Sequence, residues 1–213
     1  MARNYLTGIP RLYHYLAPIY STLRPFWTGT LTRGAEQYLE HVALPIALHP
    51  KARVLDLGCG PGSNLARMRR LSLPFGSYVG IDLSPAMLAE CRSAFTATED
   101  FVLGDTHWLP FADGSFDVIL STWMFSHLPH PRRVVRQAER LLRPGGWLII
   151  VCYAKSDGLL GTILRLVEPA FLMHSIPLEE VQSWHGLFET KTFSGGIAVT
   201  ARLQKIIPIT HQY

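Results

Sequence analysis

Between residues 51 and 153 the apolar residues gather in short unbroken runs, and polar residues separate the runs at regular intervals. "ARVLDL", "SYVGIDLS", "DFVLGD", "FDVILST" and "GWLIIVCYA" are such runs. Each is too short for a helix and ends at turn residues, so each predicts a buried strand. Between them, "NLARMRRLSL" and "PRRVVRQAERLLRPGG" place apolar residues at helical spacing, the second stopped by Pro and Gly. "SPAMLAECRSAF" opens with a Ser cap and a Pro at the first helical position. Strands alternating with helices in this way predict an α/β fold: an open, mainly parallel sheet with helices on both faces.

The two ends of the chain read differently. Residues 1–50 are rich in aromatics, Pro and Leu and predict two helices, near 11–20 and 29–43, separated by "LRPFWTGT". After the fifth strand, "LLGTILRLVEPAFLMHSIPLEEVQSW" predicts a largely apolar helical insertion at about 157–185. "LFETKTF" and "GIAVTARLQKI", joined by "SGG", predict a hairpin, which makes the last strand antiparallel to its neighbour. The expected organisation is a helical cap over residues 1–50 and one α/β domain over 51–213.

Composition narrows the function classes. Hydrophobic residues make up 48% of the 213 and charged residues 17%, an apolar balance for a single domain. The net charge of +4 is small and no Lys/Arg block is dense. "RMRR" at 67–70 reads as a solvated helix face, and nucleic acid is not an expected partner. Cys59, Cys91 and Cys152 are odd in number and widely spaced, with no CxxC or HxxxH pair, so no metal site is expected and a reducing cytoplasm fits. The first twenty residues lack the pattern of a secretory signal, and no window reaches the ~18 apolar residues of a spanning helix. The apolar N-terminal segment and the insertion, with Arg165, would suit a membrane interface, as would the aromatics and Arg of "YSTLRPFW".

The chemistry concentrates in "VLDLGCGPGSN", residues 54–64. Glycines at alternate positions, Gly58, Gly60 and Gly62, point to a ligand that approaches the backbone closely. A dinucleotide fingerprint starting at Gly58 would need glycine where Ser63 stands, and the Lys-Ser/Thr pair of a phosphate loop is missing. Asp56, at the expected strand end, would repel a phosphate and attract an amine. A cationic, zwitterionic ligand without a pyrophosphate is the expectation.

"VLDLGCGPG" resembles motif I of the class I S-adenosylmethionine (SAM) methyltransferases. The resemblance continues in order through "GIDLSPAMLAECR", "VLGDTHWLPFADGSFDVILSTWMFSHL" and "LLRPGGWLIIVCY", roughly residues 51–153. The "DxSxxML" and "LPFxDgsFD" blocks are most similar to the branch of ubiquinone/menaquinone-biosynthesis and other small-molecule or lipid methyltransferases. The resemblance implies a Rossmann-like sheet of seven strands, SAM as cofactor and an activity of class EC 2.1.1.-. It implies that Asp56 receives the methionine amino group, helped by Gly58, and that Gly60 and Gly62 let the backbone pass close to the cofactor. Asp82 would hold the ribose hydroxyls, Leu83 would pack on the adenine, Asp105 with Thr106 would meet the adenine amine, and Ser121 would lie beside the methionine part.

Methyl transfer from a sulfonium is an in-line displacement in which alignment and exclusion of water do most of the work. A phenol or enol acceptor also needs a general base, for which His127 is the candidate. Tyr13, Tyr15, Tyr20 and Trp123 are candidates to line the acceptor pocket. The apolar cap and insertion favour a small, lipophilic acceptor: a quinone precursor, a phospholipid or a hydrophobic metabolite. A polar acceptor, or a SAM-binding module without catalysis, stays open as the alternative.

Overall fold

The computed structural model describes residues 2–95 and 99–206, without the side chains of residues 2–5, 21, 23 and 25–27. Seven strands form one sheet in the order β3-β2-β1-β4-β5-β7-β6. They are β1 (Arg53–Leu57), β2 (Ser77–Asp82), β3 (Asp100–Leu103), β4 (Phe116–Thr122), β5 (Leu142–Tyr153), β6 (Leu187–Phe193) and β7 (Ala198–Gln204). β7 runs antiparallel to both its neighbours, and the other strand pairs are parallel. Chain reversal at β1, between β2 and β4, makes a switch point, where the carboxyl ends of neighbouring strands part and leave room for a ligand.

Two-residue periodicity along the strands divides the core. Leu55, Ile119, Leu148 and Ile150 face one apolar cluster, which α6 (Pro131–Leu141) covers with Val134, Val135 and Ala138. Val54, Val118, Leu120, Ile149 and Val151 face the other. That second face is covered by α4 (Ser63–Arg70) and by α2 (Arg33–Tyr38), which runs on through a π-helical turn, Leu39–Ala43, into α3 (Leu44–Ala47). α5 (Pro85–Ala94) starts as its sequence predicts: Pro85 opens the helix and the Ser84 hydroxyl accepts the Met87 amide at 3.3 Å.

Three local expectations are corrected. The first of the two N-terminal helices is longer than expected: α1 (Ala2–Thr28) extends well beyond 11–20 and through most of "LRPFWTGT", and the second helical stretch starts at Arg33. Pro10 and Pro18 remove the donors for the carbonyls of Leu6 and His14, but both of those residues are exposed, where water can replace the lost bonds. Arg67 is not on a solvated face. It is 4% exposed and bonds Glu36 and Glu40, and burial pulls its guanidinium down to about 9, with Arg24 and Arg70 adding to the effect. The insertion is also broken up: α7 (Leu159–Val167) gives way to a 3-10 turn, Glu168–Phe171, and then to α8 (Leu178–Gln182).

Candidate functional site

A cleft with an empty volume of about 720 Å³ opens above the carboxyl ends of β1, β2 and β4. Gly58, Gly60, Asp82, Leu83, Thr106, Trp123 and His127 line it, as do Tyr13 and Tyr20 reaching down from α1. Sequence elements up to 114 residues apart are thereby brought together.

The glycine turn has a specific geometry. Gly58, Gly60 and Gly62 all have positive φ, at 67°, 55° and 83°. A Cβ on Gly58 would lie 2.4 Å from Met124 Cγ, so this glycine makes room for the loop after β4. A Cβ on Gly60 would meet no atom within 4 Å: the backbone there borders open cleft. At Gly62 the added atom would strike Phe95 and Cys91, so that glycine serves the packing of α5 and stands outside the cleft.

Asp82 joins the turn to β2. One carboxylate oxygen accepts the Gly60 amide and the other the Ser84 amide, both at 2.8 Å. Each oxygen keeps acceptor capacity toward the cleft, which suits a pair of vicinal hydroxyls. Burial raises the Asp82 pKa, and the amides of Ser84, Gly60 and Leu83 oppose that rise.

Asp56 occupies a different place from the one expected. It is fully buried and stands outside the cleft. Its carboxylate accepts the Tyr78 hydroxyl at 2.7 Å and Asn64 Nδ2 at 3.0 and 3.2 Å. Asn64 Nδ2 also reaches Thr122 Oγ1 at 3.1 Å, and Thr122 does line the cleft. Burial pushes Asp56 up to about 7, against the lowering effect of its Tyr78 and Asn64 bonds.

Other expected residues divide in the same way. Thr106 lines the cleft, whereas Asp105 beside it turns Oδ1 to the backbone amide and ring Nδ1 of His107, at 2.9 and 2.8 Å. Ser121 is buried and donates to the Leu57 carbonyl at 3.0 Å, tying β4 to β1. Tyr15 is 78% exposed on the outer side of α1, away from the pocket. Trp123 holds a left-handed φ of 67° and donates its indole N–H to Glu36 at 2.8 Å. A bulky residue in that conformation is strained, and its place at the cleft wall fits the tendency of such strain to collect at functional sites.

Tyr13 and His127 form the polar pair of the cleft. Tyr13 Oη lies 2.9 Å from His127 Nε2, and His127 Nδ1 lies 3.2 Å from the Leu172 carbonyl. A carbonyl only accepts, so Nδ1 carries the proton and Nε2 accepts from the tyrosine. Burial holds the imidazole down at about 4, so it is neutral. Burial raises the Tyr13 phenol, with Tyr20 and Asp82 adding to the rise.

Some lining residues gave no signal in the sequence. Met87 reads as core, and it is 2% exposed, yet it also borders the cleft. Arg24, in the stretch that suggested an interface, turns inward, lines the cleft and meets Glu36 at 3.5 Å. The side chains of Phe26 and Trp27 from that stretch lie outside the described residues. Helical spacing forward from Tyr13 and Tyr20 sets Arg24 on the same inner face of the continuous α1.

Sheet order, an antiparallel seventh strand and a ligand cleft at the glycine turn together define the class I SAM-methyltransferase fold. Residues 55–150, just under half of the chain, match the family described as "Methyltransferase domain". It is 40% identical over 98 residues to phthiotriol/phenolphthiotriol dimycocerosates methyltransferase 1 of Mycobacterium ulcerans, covering 46% of this chain and 36% of that protein. It is 33% identical over 142 residues to demethylmenaquinone methyltransferase of Thermotoga maritima, covering 66% of this chain and 59% of that protein. The chain thus spans between 36% and 59% of the length of these curated relatives. Among solved structures, a chain of the Haloferax volcanii complex between the Trm112 methyltransferase activator and a methyltransferase superposes with a TM-score of 0.73 at 17% identity, covering 95% of this chain and all of that one. At that identity the likeness concerns the fold.

Proposed function

We propose that this chain transfers a methyl group from SAM to a hydroxyl or enol oxygen of a small, lipophilic acceptor such as a quinone precursor, a phospholipid or a hydrophobic metabolite. The carrying observation is the wall facing the glycine turn: Ile9, Tyr13 and Tyr20 of α1 close an aromatic and aliphatic pocket around one neutral Tyr–His pair. The named activities of the mycobacterial and Thermotoga relatives support the same class of acceptor.

SAM, when bound, supplies an activated methyl on a sulfonium. In this reading Asp82 holds the ribose hydroxyls, with Leu83 and Thr106 beside the adenine. Asp105 shapes the Thr106 loop through His107. Asp56 acts at one remove: it fixes Asn64, which fixes Thr122. Gly58 and Gly60 keep the turn open, and Ser121 holds β4 against β1. Arg24 provides the cation for the methionine carboxylate. Residues 1–50 act as the cap over the acceptor.

The acceptor's proton passes to Tyr13 Oη as the Tyr13 proton passes to His127 Nε2. The bond broken is acceptor O–H and the bond formed is Nε2–H, with Nδ1–H held throughout on the Leu172 carbonyl. The positive charge that arrives on the imidazole replaces the one discharged at the methyl donor. The net charge of the cleft is unchanged, which offsets part of the burial cost on the imidazolium.

The test uses SAM with a labelled methyl group and a total extract of the host. Label in the organic fraction is the expected result. Label confined to the aqueous fraction would replace the lipophilic acceptor by a polar one, and retention of SAM without transfer would leave a binding module.

A further inference from the structure

The insertion and α1 share an outer surface that the chain does not cover. On α7, Leu159 and Leu166 are 78% and 77% exposed, with Ile163 between them on the same face. On α1, Tyr15 and Ile19 continue a stripe from Gly8 and Leu12 at helical spacing and are also exposed. The insertion reaches α1 just after its 3-10 turn: a Cβ on Gly8 would lie 2.9 Å from Leu172 Cδ1. Leu172 is also the residue whose carbonyl holds His127, so this apolar surface borders the wall of the cleft.

The formal charges within the two helices are basic, while Asp157 just precedes α7 and Glu168, which accepts from Ser175, directly follows it. Neither α1 nor α7 carries a carboxylate; Arg11 of α1 is exposed and α7 carries Arg165, while Arg24 of α1 turns into the cleft. Two residues beyond Leu172 the chain enters a groove lined by His174 and, from the start of α6, Arg132, Arg133 and Arg136, with Glu180 as its carboxylate. Arg132 and Arg136 are exposed. No helix among the described residues is long and apolar enough to cross a membrane. An apolar face of one to two helices flanked by arginines is the arrangement that seats a protein in the headgroup layer of an anionic bilayer.

We infer that the exposed face of α7 and α1 docks on an anionic lipid surface, with the arginines at the start of α6 contacting lipid phosphates. Docking would bring the bordering cleft to the bilayer, where a lipophilic acceptor is concentrated. The inference deepens the lipophilic-acceptor reading, but vesicle binding can be measured without any methyl transfer.

The full chain is sedimented with vesicles of phosphatidylcholine alone and of phosphatidylcholine mixed with phosphatidylglycerol. Binding to the mixed vesicles, weakened by salt, is expected. Leu159→Ser, Ile163→Ser and Leu166→Ser together should lower it roughly tenfold or more, and Arg132→Glu with Arg136→Glu should reduce it to the level of the neutral vesicles. Unchanged circular dichroism and unchanged binding of S-adenosylhomocysteine show that the variants are folded. Wild-type protein left in the supernatant with both vesicles overturns the inference, as does undiminished binding by the leucine variant. A dimer in solution that this variant turns into a monomer also overturns it, because a second copy would then cover the face. Vesicle binding without organic-phase label would fault the acceptor reading alone.

Discussion

The Tyr13 hydroxyl donates to His127 Nε2 across 2.9 Å and so ties the middle of α1 to the loop after β4. The direction of the bond follows from the other side of the ring, where Nδ1 faces the Leu172 carbonyl. Leu172 itself has a positive φ of 50°. Helix α1, the loop after β4 and the insertion therefore converge on one imidazole.

If the pair relays the acceptor's proton, Tyr13→Phe removes the oxygen that receives it and leaves the ring packing against Tyr20 intact. The expected loss is ~10²-fold in kcat with little change in KM, in line with the contribution of a positioned general base. Steady-state kinetics with the acceptor found by labelling checks this. An unaltered kcat would reduce the pair to a packing contact.

The pH dependence follows from the depressed imidazole. An ordinary histidine base would give an acidic limb near 6.5. With His127 held at about 4, the base stays neutral through that region. The acidic limb of kcat is expected to fall toward pH 4, and a limb centred near 6.5 in the pH–rate profile would contradict the relay.

Much of this site was legible in advance because the local rules act on short stretches. The unbroken runs ending at glycine or aspartate marked β1, β2 and β3, and Asp82 stands at a strand end next to Gly60. What stayed hidden depended on tertiary contacts. Nothing beside Asp56 in the sequence reveals that Tyr78 and Asn64 bond its carboxylate. The "LRPFWTGT" stretch reads as a break, yet α1 continues through most of it to Thr28. Arg67 looked solvated until Glu36 and Glu40, on another helix segment, were folded against it.

Asp82→Asn tests the ribose assignment. The amide keeps one acceptor, but its NH₂ must then face either the Gly60 or the Ser84 amide, donor against donor. We expect affinity for S-adenosylhomocysteine to fall by ~10–100-fold, the cost of a lost charge-assisted pair and a misdirected turn. Isothermal titration calorimetry gives the value directly, and an unchanged Kd would remove Asp82 from the cofactor site.

Asp56 and His127 act in opposite directions on stability. Asp56 has a folded pKa near 7 against 3.8 unfolded, so the native state holds the proton more tightly and stability falls as pH rises from about 4 to 7. His127 has a folded pKa near 4 against 6.5 unfolded, so stability rises over about pH 4 to 6.5. Asp56→Asn removes the first dependence and leaves the second. Its melting temperature, compared with the wild type at each pH, should climb more steeply between pH 4 and 6.5, and its relative gain should be complete and constant above about pH 7. Parallel curves for the two proteins would mean that Asp56 titrates normally.

Arg24 gives the sharpest test of how the methionine end is held. Its guanidinium has five donors, and its side-chain partner among the described residues is Glu36, at 3.5 Å, which also serves Arg67. Spare donors on a cation lining the cleft suit a carboxylate. Arg24→Gln should therefore weaken S-adenosylhomocysteine, which carries that carboxylate, by ~10-fold or more. Methylthioadenosine lacks the carboxylate and should bind both proteins alike. Equal weakening of the two ligands would show that the substitution disturbs the cleft as a whole. Weakening of neither would free Arg24 for the acceptor, and the acceptor would then carry an anionic group.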